Sequence, residues 1–88
     1  MEQSDLKAAE DFLRECFELR RKTMSAEHWL VASAKSILGE CLAKQKRFEE
    51  AEKFLLESYE ILKKVLGENH EQTRKAWRRI VKLMKARA

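Results

Sequence analysis

Apolar residues recur along the chain at spacings of three and four, the period of a helix with one buried face. Over about residues 4–22 the stripe is Leu6, Ala9, Leu13, Cys16 and Phe17, with Phe12 and Leu19 widening it. Over about 27–45 it is Leu30, Ala34, Ile37, Leu38, Cys41 and Leu42. Over about 48–66 it is Ala51, Phe54, Leu55, Ser58, Tyr59, Leu62 and Val65. Over about 70–87 it is Ala76, Trp77, Ile80, Val81, Leu83 and Met84. The pattern predicts four helices in one domain spanning residues 1–88.

Local signals punctuate these stretches. Ser4 is a candidate N-cap for the first helix. Asn69 is one for the fourth, with Gln72 placed three residues on, as in a capping box. Gly67 stands just past the third helix, where a left-handed cap is expected. Only Lys46–Arg47 separates the second and third helices, so these two fold back as an antiparallel pair. Thr23–Ala26 and Gly67–Glu68 supply the other turns. The fourth helix has no C-terminal cap, although Lys85 and Arg87 suit the negative end of its dipole.

Composition narrows the class. The 88 residues are 39% charged, with two glycines and no proline, too few turn formers for a β-sandwich or barrel. No apolar run is long enough to cross a bilayer. The polar, acidic start of the chain, Met1 to Asp11, is unlike a signal or transit peptide. Cys16 and Cys41 fit no metal-ligand or CxxC spacing and are read as small buried hydrophobes in a reducing, cytoplasmic setting.

The charge is unevenly placed. Residues 73–88 hold seven bases and no acid, whereas the other residues hold twelve bases and fifteen acids. The positive balance therefore belongs to the fourth helix.

An offset of 42 residues aligns 9–46 with 51–88 and makes nine of the 38 pairs identical, among them Ala9/Ala51, Glu10/Glu52, Phe12/Phe54, Leu13/Leu55 and His28/His70. A repeat of two helices cannot bury its apolar face alone, so it implies stacked helix pairs, a solenoid.

These residues resemble the tetratricopeptide repeat, whose pattern is W-x2-L-G-x2-Y followed by A-x3-F. The second helix offers Lys35-x2-Leu38-Gly39-x2-Leu42, and the third Ala51-x3-Leu55 with Ser58 at the next small position. The first helix offers Ala9-x3-Leu13 with Cys16, and the fourth Trp77-x2-Ile80-Val81-x2-Met84. The linker from Lys64 to Thr73 is similar to the 42-residue variety of kinesin light chains. The run from Leu55 to Tyr59 is similar to the C-terminal arrays of bacterial serine/threonine kinases. The chain departs from the pattern at Lys35, where a large aromatic is common, and at Val81, which stands where Gly39 does. In family terms the helices run B–A–B–A. The resemblance implies an all-α right-handed solenoid fragment of four antiparallel helices that acts as a non-catalytic protein-interaction module. It also implies that Trp77 is core and that Gly39, Ala51, Ser58 and Ala9 are small because helices cross there.

No catalytic constellation is visible. His28 and His70 occupy equivalent linker positions, read as caps rather than catalysts. His70-Glu71 lacks the second histidine of a zinc-protease helix. Asp5 and Asp11 are the only aspartates. No cofactor, metal or membrane is implied. Trp29 either staples a turn to the first helix or is an exposed contact.

Two partner classes follow. In the family the A helices line the concave groove, which places Ser36 and Glu40 of the second helix opposite Lys75, Arg78, Lys82 and Lys85 of the fourth. The four cations are spaced 3, 4 and 3 residues apart, so they form one helical row. Such a row suits an acidic peptide; it equally suits the solvated face of a terminal repeat. Nucleic acid is the weaker alternative, because few aromatics are free to stack bases. The other class is self-association. The first and last helices have open faces that include Phe12, Phe17, Val81 and Met84, through which two copies would form a homodimer.

Overall fold

The computed structural model describes residues 3–87, with side chains from residue 5 onward. It contains four helices, α1 (Gln3–Thr23), α2 (Trp29–Lys44), α3 (Phe48–Leu66) and α4 (Glu71–Arg87), and no strand among the described residues. The all-α helical-hairpin arrangement is the one expected. Ser4, expected as a cap, lies inside α1, and its side chain is outside the described part.

The sequence of α2 explains the layout. Val31, Ala32, Ala34, Ser36, Leu38, Gly39, Cys41 and Leu42 are all buried, so this helix is enclosed on nearly every side. A helix apolar over most of its circumference belongs at the centre of a fold, and α2 packs against α1, α3 and α4. The main core joins Leu38 and Leu42 of α2 to Ala51 and Leu55 of α3 and to Ile80 and Leu83 of α4. A smaller cluster unites Ala32, Leu62 and Ala76, and the half-buried Trp29 packs on it. Gly39 allows the closest crossing: a Cβ there would lie 2.9 Å from Leu55 Cγ.

The helix ends hold several departures from expectation. α4 is capped by His70, not Asn69: its Nδ1 accepts from the Gln72 backbone N–H at 3.1 Å. His28 caps α2 in the same way, with Leu30 N–H at 3.1 Å. The repeated histidine thus has a repeated job, an imidazole nitrogen taking an orphan N–H of the first turn. α2 ends with Lys46 at φ 65°, Arg47 N–H bonded to Leu42 O at 3.0 Å and Lys46 N–H to Ala43 O at 2.9 Å. That is a Schellman motif with lysine where glycine is usual. Gly67 has φ 93° as expected, but its ψ of 159° is extended, a region open essentially to glycine alone.

Five residues of the apolar stripes point outward, Phe12 and Met84 among them. Trp77 is half-exposed, with its ring 5.3 Å from that of Tyr59, because no described helix covers that side of α4. Leu19 and Val65 are exposed as well. Cys41 is buried, its thiol 3.4 Å from Leu6 O, and Cys16 is half-buried.

Candidate functional site

The surface with most concentrated chemistry is the groove between α2 and α4. Its α2 wall is built of small residues, Ser36 and Ala43, which lie seven residues or two turns apart on one face of the helix. Its α4 wall is cationic, because Lys75, Arg79 and Lys82 fall on the side opposite Trp77 and Met84, with Arg78 at the border between the two sides.

Arg79 ties the two walls together. Its Nη1 donates to Ser36 Oγ at 3.0 Å, and its Nε lies 3.6 Å from Glu40 Oε1. Its side chain is only 19% exposed, so the guanidinium is fixed across the groove floor rather than free in solvent. Lys75, Arg78 and Lys82 stand around it and, with Glu40 and Arg79, line an open cavity of about 180 Å³. A neighbouring cavity of about 210 Å³ has Ala43, Leu83 and Ala86 as its apolar part and Lys82 at its edge. Lys75 is paired with Glu71 on its own helix at 3.5 Å. Arg78 and Lys82 make no ion pair among the described residues. Four cations thus surround one carboxylate, and that carboxylate is engaged by Arg79.

The six residues expected here separate. Lys75, Arg78, Lys82 and Glu40 converge. Ser36 is fully buried beneath Arg79, so it positions that side chain and has no surface of its own to offer. Lys85 is exposed and lines neither cavity. Arg79 was not expected; it lies four residues after Lys75 and three before Lys82, so the same helical row contains it.

A second polar centre joins α1 to the α2–α3 turn. Glu10 is buried, yet it receives Arg14 Nε at 2.8 Å, Arg47 Nη1 at 2.7 Å and Gln45 Nε2 at 2.9 Å. Burial by itself raises its carboxyl pKa; the hydrogen bonds from Gln45 and Arg14 and the charges of Arg47 and Arg14 outweigh this and bring it down to about 2. The equivalent position in α3 repeats the arrangement in simpler form, as Glu52 is bonded to Arg87. Sequence reasoning recorded Glu10/Glu52 only as an identity in the repeat. Lys35, at the usual aromatic position, compensates by ion-pairing with Glu57 at 2.6 Å while lying over the Phe54 ring. Of the four open-face residues, Phe12 and Met84 project into solvent, and Phe17 and Val81 are half-buried.

No group of three or more His, Cys, Asp or Glu among the described residues is placed to hold a metal ion, and no described helix is long and apolar enough to cross a membrane. No curated protein matches the chain by sequence. Two family models do, both of the tetratricopeptide repeat: one over residues 30–86, which takes in α2, α3 and α4, and one over residues 1–30. With its helical hairpins, its small residues at the crossings and these matches along nearly its whole length, the chain belongs to the tetratricopeptide repeat family.

Proposed function

We propose that this protein-interaction module is non-catalytic and holds an acidic peptide along the α2–α4 groove. Domains of this family bind protein partners. The observation that carries the finer reading is the charge imbalance of the groove: Lys75, Arg78, Arg79 and Lys82 line it with Glu40, and of the four Arg78 and Lys82 make no ion pair among the described residues. Arg79 is pre-positioned by Ser36 and Glu40, and Arg78 and Lys82 are left for a ligand. A carboxylate spanning those two gains charge-assisted hydrogen bonds without displacing an internal ion pair. The adjoining Ala43–Leu83 surface gives an apolar side chain of the same peptide a place to lie.

Fluorescence anisotropy with a labelled Asp/Glu-rich peptide tests this. Charge reversal at both Arg78 and Lys82 is expected to weaken binding at least about tenfold, on the order of 1.4 kcal/mol or more, with an unchanged circular dichroism spectrum. Equal affinity for wild type and variant removes the reading. A single-stranded oligonucleotide that outcompetes the peptide, with affinity falling linearly against salt in log–log form, moves it to nucleic acid.

A second reading, self-association, rests on a separate observation. Phe12 and Met84, at opposite ends of the helix stack, are 64% and 63% exposed. Large apolar side chains left this open on two faces mark an interaction surface.

A further inference from the structure

The 42-residue register sets α1 beside α3 and α2 beside α4 as copies. Within the chain the inner pair, α2 and α3, is already docked. Gly39 meets Leu55 and Phe54, Lys35 meets Glu57 and Phe54, and Leu42 is fully buried in the core they share. Shifting α2 by one repeat turns Lys35, Gly39 and Leu42 into Trp77, Val81 and Met84 of α4. Shifting α3 back by one repeat turns Phe54, Leu55, Glu57 and Ile61 into Phe12, Leu13, Glu15 and Leu19 of α1. The outer helices therefore carry the two halves of an α2–α3 type of contact, left open at Phe12, Leu19, Trp77 and Met84, with Leu13 and Val81 half-buried between them. Met84 is 63% exposed where Leu42 is 0%, and Phe12 and Leu19 are 64% and 62% exposed where Phe54 and Ile61 are half-buried.

We infer that the open face of α4 takes α1 of a second copy of this chain, antiparallel and in the register in which α2 takes α3. The inference rests on the self-association reading and adds which face meets which. The joined surfaces are complementary in chemistry. Trp77 replaces Lys35 opposite Phe12, exchanging a cation–aromatic contact for an aromatic pair. Exposed Glu15 of α1, the counterpart of the Glu57 that meets Lys35, comes to the Trp77 end of the α4 face, where Arg74 and Arg78 flank that ring. Val81 in place of Gly39 keeps the helix axes further apart than in the α2–α3 pair, and the bulk of Trp77 and Met84 fills that spacing. The contact is head-to-tail, because the two faces differ. It has no two-fold closure, so assembly does not stop at two copies. Lys75, Arg79 and Lys82 lie away from this joint, and that part of the peptide groove stays open along the stack, with Arg78 at its border.

Two double variants separate the possibilities: Phe12→Gln with Leu19→Gln blocks the α1 face, and Trp77→Gln with Met84→Gln blocks the α4 face. The side chains are half to mostly exposed, so both variants keep the helical circular dichroism spectrum, which is checked first. In sedimentation velocity the wild-type mass is expected to rise with concentration beyond two copies. Each variant alone stays at the 10.4 kDa of one chain. The equimolar mixture, which restores one intact pair of faces, gives a species of twice that mass and no larger. A variant that dimerises by itself shows a symmetric joint; self-association then stands and the head-to-tail contact falls. A mixture of folded variants that stays monomeric also overturns the contact. A wild type that is monomeric at every concentration overturns both it and the self-association reading.

Discussion

Helices α2 and α4 occupy the same place in the repeat and have opposite characters. Ser33, Ser36, Ile37, Glu40 and Ala43 of α2 correspond to Lys75, Arg78, Arg79, Lys82 and Lys85 of α4. At every one of those positions the inner helix has a small, apolar or acidic residue and the outer one a base. The core positions differ far less: Ala34 and Ala76, Leu38 and Ile80, and Cys41 and Leu83 are all buried. The repeat thus keeps what holds helices together and varies what faces the groove. Stability resides mainly in α2, which has three neighbours, and recognition chemistry in α4. A scaffold divided this way can change ligand without repacking its core.

The sharpest way to break that division is to make the same cut in both helices. Leu42 and Met84 are one repeat apart, the first fully buried and the second mostly exposed. Leu42→Ala is expected to cost about 2–5 kcal/mol, lost transfer energy plus a cavity. Met84→Ala is expected to stay within about 0.5 kcal/mol. Urea unfolding of the two variants measures both, and equal losses would show that α4 is as enclosed as α2.

The C-terminal ends of the two helices give the next largest contrast. The α2 end supplies Gln45 to the buried Glu10, with Arg47 from the turn beyond it, whereas the α4 end supplies Arg87 to the exposed Glu52. Glu10 has its pKa lowered from 4.5 to about 2, so its contribution is present above pH 4.5 and is lost as pH falls through 2. A shift of that size corresponds to about 3 kcal/mol. Glu10→Gln should therefore flatten the acid limb of the stability–pH curve measured by urea midpoints. Glu52→Gln should leave it in place.

The helices were legible because each has apolar residues at helical spacing and because glycine and the short turns mark their ends. Burial of Leu38, Leu55 and Ala51 followed from the same spacing and from the repeat. Trp77 did not follow: the resemblance implies a core aromatic there, and periodicity gives a side chain's direction without saying whether anything lies in that direction. Glu10 and Arg79 were hidden for a related reason. Each is a charge on a charged helix, and only the three-dimensional meeting with Gln45 and Arg47, or with Ser36 and Glu40, distinguishes it from its solvated neighbours. The histidine caps were half visible, since the repeat marked the positions and the assignment to a linker role was sound, but Asn69 has the stronger intrinsic preference and misplaced the start of α4.

The turns that leave α2 and enter α4 offer a smaller, two-signed test. Lys46 adopts φ 65° to close the Schellman motif, which costs a lysine roughly 1–2 kcal/mol relative to glycine. Lys46→Gly should recover about 1 kcal/mol of that, the remainder going to the greater freedom of the unfolded chain. Gly67 is the reverse case. Nothing lies within 4 Å of where its Cβ would be, so any loss in Gly67→Ala is backbone strain alone, roughly 1–3 kcal/mol. Thermal or urea midpoints that move in opposite directions support both assignments.

The smallest expected effect restores one element of likeness between the two helices. Thr73 of α4 corresponds to Val31 of α2, and both are buried. The Thr73 hydroxyl has no hydrogen-bond partner there, so folding strips it of water and gives nothing back. Valine has the same branched shape and similar helix propensity, and it removes the polar atom. Thr73→Val should raise stability by about 1 kcal/mol, read as a higher urea midpoint at unchanged slope. A lower midpoint would mean that the hydroxyl does find a partner, most simply a water in the surface cavity that Thr73 shares with Tyr59 and Trp77. In that event the difference between Val31 and Thr73 would belong with the difference between the two groove walls, as surface chemistry retained on the outer helix.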